Sequence, residues 1–249
     1  MNFLRQEEIL KLLQQQGLVL ISDLQKLYPN VTLMTIHRDL DKLQAQGYLV
    51  KVRGGARSVS HKTELIYEER SNENIAAKKI IAKKALSLIE ANSCIFLDSG
   101  TTILEIVKQL PDINITIFTT APTIALALRH LSNPTINLCG GNLNRQTLSL
   151  SGQNTLKTLE DINIDLAIIG VSGCSSDVGF TCGQESEMLV KQKAMERAKT
   201  TVAVFDSSKL NKLLPFTFAP ATAFSYIITD EKLPKDFTVL LNNSNTKLL

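Results

Sequence analysis

Thr32 to Ala56 reads TLMTIHRDLDKLQAQGYLVKVRGGA, and two periodicities meet inside it. Leu33, Ile36, Leu40 and Leu43 recur at helical spacing, and Thr32 stands where a hydroxyl can accept from the unpaired N–H groups of a first helical turn. Gly47 ends the helix. From Tyr48 to Arg53 the pattern changes to the alternation of a strand, and Gly54-Gly55 permits a tight hairpin turn. At about 100° per residue, the face opposite Ile36 carries Met34, Arg38, Asp41 and Lys42, flanked by Thr35 and His37. The stretch predicts a helix with one buried face and one face free to meet a partner, followed by a two-stranded wing.

Two short helical patterns precede it. Gln6 to Gln16 carries Ile9, Leu10, Leu12 and Leu13, and Ser22 to Tyr28 is headed by Ser22 as N-cap with Leu24 and Leu27 inward. Helix, helix, turn, helix, wing is the order of a winged helix-turn-helix, whose last helix enters the major groove of DNA. Thr32, Met34, Thr35, His37 and Arg38 are then the candidate base-facing residues: Met34 or Thr35 can pack on a thymine methyl, and Arg38 can reach guanine or a phosphate. Lys42, Arg53 and Arg57 would grip the backbone. Operators read in this way have two half-sites about 34 to 36 Å apart, so at least a homodimer is expected.

Charge is distributed to match. Residues 1–62 hold nine Lys/Arg against five Asp/Glu, and the remainder holds eighteen against nineteen, which places the attraction for phosphates in the smaller part. The hydrophobic fraction of 44% in 249 residues supplies ample core. No stretch approaches the roughly 18 to 20 apolar residues of a membrane span, and MNFLRQEEIL lacks a signal-peptide core, so a cytoplasmic location is expected. Cys94, Cys139, Cys174 and Cys182 show no paired spacing and read as reduced structural thiols; with His37, His61 and His130 isolated, no metal site and no cofactor are expected.

Arg57 to Lys62 is polar and without apolar periodicity, which predicts residues 1–57 as the winged helix-turn-helix, 58–63 as a linker and 64–249 as a larger domain. That domain opens with a helical pattern in which Ile75, Ile80, Ile81, Ala85, Leu88 and Ile89 face inward while Lys78, Lys79, Lys83 and Lys84 form a solvated face. Next comes CIFL (94–97) as a buried strand, DSGTT (98–102) as a tight loop and Ile103 to Leu110 as a helix. Strand, small polar loop and helix make a cradle for an anion: Gly100 permits close approach, Ser99, Thr101 and Thr102 can donate, and the helix start presents free N–H groups. Asp98 would repel an anion if it pointed inward; it is better suited to accept from a sugar hydroxyl or to fix the loop.

The same punctuation recurs. Strands over 114–118, 136–138, 166–169, 201–205 and 224–228 end in Thr119-Thr120, Cys139-Gly140-Gly141, Gly170-Val171-Ser172-Gly173, Asp206-Ser207-Ser208-Lys209 and Thr229-Asp230. Helices over 123–131 and 187–199 separate some of them, so the fold class is α/β: a mostly parallel sheet with helices on both faces, binding its ligand beyond the carboxyl ends of the strands. Asp98, Ser99, Gly100, Thr101, Thr102, Thr119, Gly140, Gly141, Gly170, Ser172 and Lys209 are the candidate effector contacts. The Lys209 ammonium can complete a phosphate site as a point charge, or pair with Asp206 or Asp230. Glu187 and Lys191 stand four apart, a spacing that ordinarily supports a helix. The tail from Asn242 to Leu249 reads as polar and frayed.

TIHRDL, the following Leu and the GYLVKVRGGA hairpin resemble the amino-terminal domain of the DeoR family of bacterial regulators, departing at His37, where that family usually has Arg. LDSGTT, Gly140-Gly141, Gly152, IIGVSG, GFT with the acidic residues after it, DSSK and IITD resemble the motifs of the DeoR sensor domain, in order, over residues 64–230. Thr120 stands where the family commonly has Asn. The resemblance implies a sensor fold related to ribose-5-phosphate isomerase, a phosphorylated sugar or related metabolite as effector, and repression of sugar-catabolic genes. A second reading is a sugar-phosphate isomerase or kinase-like enzyme carrying a DNA-binding domain, with Asp98, Glu185 or Glu187 as nominal base. A third is a helix-turn-helix used only for protein contact, which the basic surplus disfavours.

Overall fold

The computed structural model describes residues 2–16, 18–45, 48–58, 67–242 and 244–249. The chain divides into two compact units, Met1–Lys62 with Asn211–Leu214, and Thr63–Leu210 with Pro215–Leu249. In the first, α1 (Asn2–Gln16), β1 (Leu18–Leu20), α2 (Ile21–Leu27), α3 (Leu33–Ala45), β2 (Leu49–Val52) and β3 (Gly55–Ser58) follow in order. The strands form an antiparallel sheet, β1-β3-β2. Ile9, Leu13, Leu24, Ile36, Leu40, Leu43 and Leu49 close the core between helices and sheet.

Several details of this unit differ from expectation. Strand β1 has no pattern of its own, because three residues are too few to alternate. It lies so close to β3 that a Cβ on Gly55 would stand 2.5 Å from the Val19 carbonyl oxygen; the glycine is required by this approach, while the hairpin turn itself falls at Arg53-Gly54, where Gly54 has φ +81°. Helix α2 begins at Ile21, so Ser22 lies inside it and does not cap, and Leu27 is exposed. Leu33 is also exposed, while Val31, ahead of the helix, packs against the core. Gly47 and residues 59–63 of the linker lie outside the described residues; Ser58 belongs to β3, opposite Leu49.

The second unit runs α4 (Tyr67–Asn72), α5 (Ile75–Leu86), β4 (Cys94–Leu97), α6 (Thr101–Val107), β5 (Thr116–Thr119), α7 (Pro122–Ala127), β6 (Thr135–Leu138), β7 (Asn142–Asn144), β8 (Ser149–Ser151), α8 (Gln153–Glu160) and β9 (Ile164–Gly170). It continues with β10 (Gly173–Ser175), β11 (Gly179–Cys182), α9 (Glu185–Glu196), β12 (Ala198–Val204), β13 (Phe216–Ala219), β14 (Tyr226–Ile228), α10 (Lys235–Asn242) and β15 (Lys247–Leu248). Seven strands make one parallel sheet in the order β15-β14-β12-β9-β4-β5-β6.

Both faces of this sheet are covered, because successive residues point to opposite sides. Ile95 and Leu97, Leu166 and Ile168, Val202 and Val204 join the helices α5 and α6 in one apolar cluster. Phe96, Ala167, Ile169 and Ala203 join another, with Val190 and Ala194 of α9 and a group of rings, Phe180, Phe205, Phe218 and Phe224. Phe180 and Phe218 belong to an antiparallel sheet, β10-β11-β13, that no alternation in the sequence disclosed, since its middle strand is buried at every position. The helix expected over 187–199 stops at Glu196, and Ala198 opens β12. The tail is ordered from Ser244, and its last residues add β15 to the edge of the sheet, Leu249 donating its N–H to Ile227.

Candidate functional site

In the first unit the outward face is that of α3. The Thr35 N–H donates to Thr32 Oγ1 at 3.3 Å, so Thr32 caps the helix as its position implied. The two hydroxyls also lie 2.9 Å apart. Met34 is 70% exposed, Arg38 and Lys42 are exposed, and His37 is half-buried beside them. Arg53 projects at the tip of the wing; the Arg57 side chain lies outside the described residues. Asp39 turns the other way. Nearly fully buried, it accepts from Arg5 Nε at 2.6 Å and from Gln6 Nε2 at 2.8 Å, and so ties α3 to α1 behind the exposed face. Lys51 of the wing pairs with Asp41 at 2.5 Å and donates its N–H to Gln44. These bonds fix the angle between helix and wing.

In the second unit the sheet changes direction between β4 and β9. After β4 the chain moves outward through β5 to β6; from β9 it moves the other way, through β12 and β14. Ligand crevices of open parallel sheets form at such a switch point. The two tips are locked together there. Asp98 accepts from the Gly170 N–H at 3.0 Å and from Lys191 Nζ at 2.5 Å, and Lys191 also donates to the Gly170 carbonyl at 2.9 Å. Glu187 pairs with Lys191 at 3.0 Å, so the i, i+4 pair on α9 is part of a larger cluster. Lys191 is wholly buried. Burial alone would lower its pKa, but the Asp98 and Glu187 carboxylates outweigh that penalty and hold it charged, with its pKa raised.

This lock decides which side chains remain for a ligand. Asp98 is about 1% exposed and fixes the loop, the second of its two expected roles. Ser99, Gly100, Thr101 and Thr102 follow it at the start of α6, Gly100 with φ +118° and open space where a Cβ would stand. Thr119 is buried, and its hydroxyl accepts from the Ala121 N–H. Gly141 packs against α8: a Cβ would stand 2.2 Å from Thr155 Oγ1, and Thr155 itself donates to the Gly140 carbonyl. Gly170 lies 3.2 Å, measured from its would-be Cβ, from the Ser99 carbonyl. Ser172 is half-buried beyond it.

Next to β9, the end of β12 gathers charge. Asp206 is buried; its Oδ1 accepts from the Ser208 N–H, from Asn74 Nδ2 at 3.1 Å and from the Ser208 hydroxyl, while Oδ2 has no hydrogen-bond partner among the described residues. Asp230 accepts from the Ser207 N–H and hydroxyl. Neither carboxylate forms an ion pair with Lys209 among the described residues, and Lys209 is half-buried. Lys78 reaches the same place from α5, donating to the Arg70 and Glu73 carbonyls. Burial lowers its pKa, Asp206 opposes this, and Lys209 and Arg70 add to the lowering. Lys78 thus feels both signs of charge, from Asp206 and Glu105 on one side and Lys209 and Arg70 on the other. Since adjacent strands are about 4.8 Å apart, this cluster and the DSGTT loop, two strands away, lie roughly 10 Å from one another, the length of a small phosphorylated metabolite.

Residues 5–62 match the model of the DeoR-like helix-turn-helix domain, and residues 73–231 match that of the DeoR C-terminal sensor domain. This chain belongs to the DeoR family. It is 34% identical over 249 residues to the HTH-type regulator YgbI of Escherichia coli K12, covering 98% of this chain and 96% of that one. It is 30% identical to IolR and to the transcriptional repressor GlcR of Bacillus subtilis, with 95% or more of each chain covered. Ribose 5-phosphate isomerase A of Methanocaldococcus jannaschii aligns with 56% of this chain and 55% of its own, at 17% identity and a TM-score of 0.40. The relatives carry the two DeoR domains and are named as regulators: this chain is a DNA-binding transcriptional regulator and not an enzyme. No helix among the described residues is long and apolar enough to cross a membrane.

Sequence reasoning missed three residues of this DeoR sensor. Lys78 was read as part of a solvated face; Lys79 and Lys83 are exposed, but Lys78 is buried, Lys84 donates to the Thr229 carbonyl, and Ile75 and Ile80 are the exposed positions instead. Asn74 and Lys191 carried no signal beyond a helix start and a helix-supporting pair, because their partners lie 132 and 93 residues away. The cysteines are free, three of them buried, and burial pushes the Cys139 thiol up to about 11, away from reactivity at neutral pH.

Proposed function

We propose that this DeoR-family regulator represses genes of carbohydrate metabolism: residues 1–58 hold operator DNA, residues 59–63 link, and residues 64–249 bind a phosphorylated sugar that changes the affinity for DNA. The observation that carries the sensing half is Lys209, half-buried at the tip of β12 and in no ion pair among the described residues, two strands from the hydroxyls and helix start of Ser99 to Thr102. The phosphate takes the helix start and the hydroxyls beside it, and the sugar end of the ligand reaches toward Lys209. Gly140, Gly141, Gly170 and Ser172 border the same crevice, and Asp98 and Thr119 shape it from within. Repression is supported by the name of the relative GlcR. In solution the regulator is at least a homodimer, matching two half-sites.

The effector acts by linkage. It shifts DNA binding only by the difference between its affinities for the DNA-competent and incompetent states, about 1 to 3 kcal/mol in such systems. A thermal-shift screen against pentose and hexose phosphates tests the sensing half: a ligand present at about 100 times its dissociation constant adds roughly 2.7 kcal/mol to stability. At least one sugar phosphate raises the melting temperature of the wild-type chain and not that of Lys209→Met. If every phosphorylated sugar leaves the melt unchanged, the sensing half of the reading fails.

A further inference from the structure

The first turn of α3 presents a patch that its own core does not use. Leu33 is 44% and Met34 70% exposed, on a helix whose other exposed residues, Arg38, Asp41, Lys42 and Gln44, are charged or polar. Leu33 takes no part in the core of this unit, against which Val31, ahead of the helix, is packed. At about 100° per residue, His37 falls between Leu33 and Met34 one turn further on, and Arg38 stands beside Met34, so the helix leads with two apolar side chains and follows with two that can hydrogen-bond. Thr35 is turned back onto the cap through Thr32.

In a helix-turn-helix the amino-terminal residues of this helix reach the base edges. Of the groups displayed in the major groove, only the C5-methyl of thymine is apolar. Arg38, Lys42 and Arg53, in a unit with nine basic against five acidic residues, supply the cations that seat such a surface on phosphates. A duplex is therefore the occupant that both the apolar lead and its charged surround fit; a second protein surface would meet only the former. We infer that Leu33 and Met34 are specificity-determining residues that read adjacent thymine methyl groups, and that the half-site at this turn carries thymine. This rests on the DNA-binding reading above and adds to it the chemistry of the bases read.

Deoxyuridine tests it, since it pairs as thymidine does and lacks only the methyl. The full chain is used to enrich a pool of random duplexes, and the enriched duplex is remade with dU at one thymine at a time. Affinity falls about fourfold at each contacted thymine, the factor corresponding to roughly 0.8 kcal/mol per buried methyl-sized group. Leu33→Ala and Met34→Ala, which melt as the wild type does because both side chains are exposed, lose the distinction between dT and dU while still binding the dU duplex. The inference is overturned if dU is bound as tightly as dT at every position, or if both variants still discriminate. If no duplex is held in a salt-dependent way, the DNA-binding reading itself falls, and this inference with it.

Discussion

Each unit of this regulator holds a buried carboxylate behind its working surface. Asp39 sits in the recognition helix and is clasped by Arg5 and Gln6; Asp98 sits at the head of the DSGTT loop and is clasped by Lys191 and the Gly170 N–H. Both tie a functional element to a distant part of its own unit. They differ in depth. The Arg5 side chain keeps 11% of its surface in solvent, whereas Lys191 and Asp98 each keep 2%. Water can therefore relieve a broken bond in the DNA-binding unit more readily than one in the sensor. Working surfaces and locks are thus separate sets of residues, and substitution should tell them apart.

The largest effect is expected at Lys191. Lys191→Met leaves Asp98 and Glu187 buried together without their cation, a loss of about 3 to 5 kcal/mol in a denaturant melt. Asp98→Asn in the same chain should recover part of it; a Lys191→Met protein as stable as the wild type would remove the lock from the account. Asp39→Ala should cost about 2 kcal/mol, the range for hydrogen bonds to charged groups, with faster amide exchange in α3 and unchanged exchange at the sensor's strand tips. Equal losses at the two sites would contradict the comparison of depths.

At the working surfaces, stability should hardly move. Arg38→Ala and Lys209→Met are each expected to fall within about 0.5 kcal/mol of the wild type. In a mobility-shift assay Arg38→Ala loses the retarded complex yet keeps the sugar-phosphate rise in melting temperature; Lys209→Met does the reverse. One variant losing both activities would show that the division is wrong. The smallest effect concerns the thiols: Cys139, with its pKa near 11, should resist alkylation at neutral pH in the native chain and react only after unfolding, as mass spectrometry would read.

Much of this was legible in residue order. The apolar spacing of Ile36, Leu40 and Leu43 located the recognition helix and its free face, and the repeated strand-then-small-residue punctuation disclosed the parallel sheet and the tips that carry Ser99 to Thr102 and Lys209. Periodicity reports which face of an element is covered, so it succeeds where an element has one wet side. It said nothing of β11, buried at every position, or of β1 and β15, too short to alternate. It also misplaced charges that are buried. Lys78 was expected on a solvated face, Lys191 in no more than a helix-supporting pair, and Asp39 drew no reading, because a sequence shows a charge without showing the distant partner that permits its burial. Leu33 failed in the opposite sense: its spacing fitted the core, but it stands exposed in the first turn of α3.

The most direct test is the affinity for a selected duplex, measured by fluorescence anisotropy with and without the sugar phosphate that raises the melting temperature. The account predicts a change of roughly 5- to 150-fold, with Lys209→Met binding the duplex as the wild type does and showing no change. A sugar phosphate that binds the chain tightly and leaves the affinity for DNA where it was would contradict it.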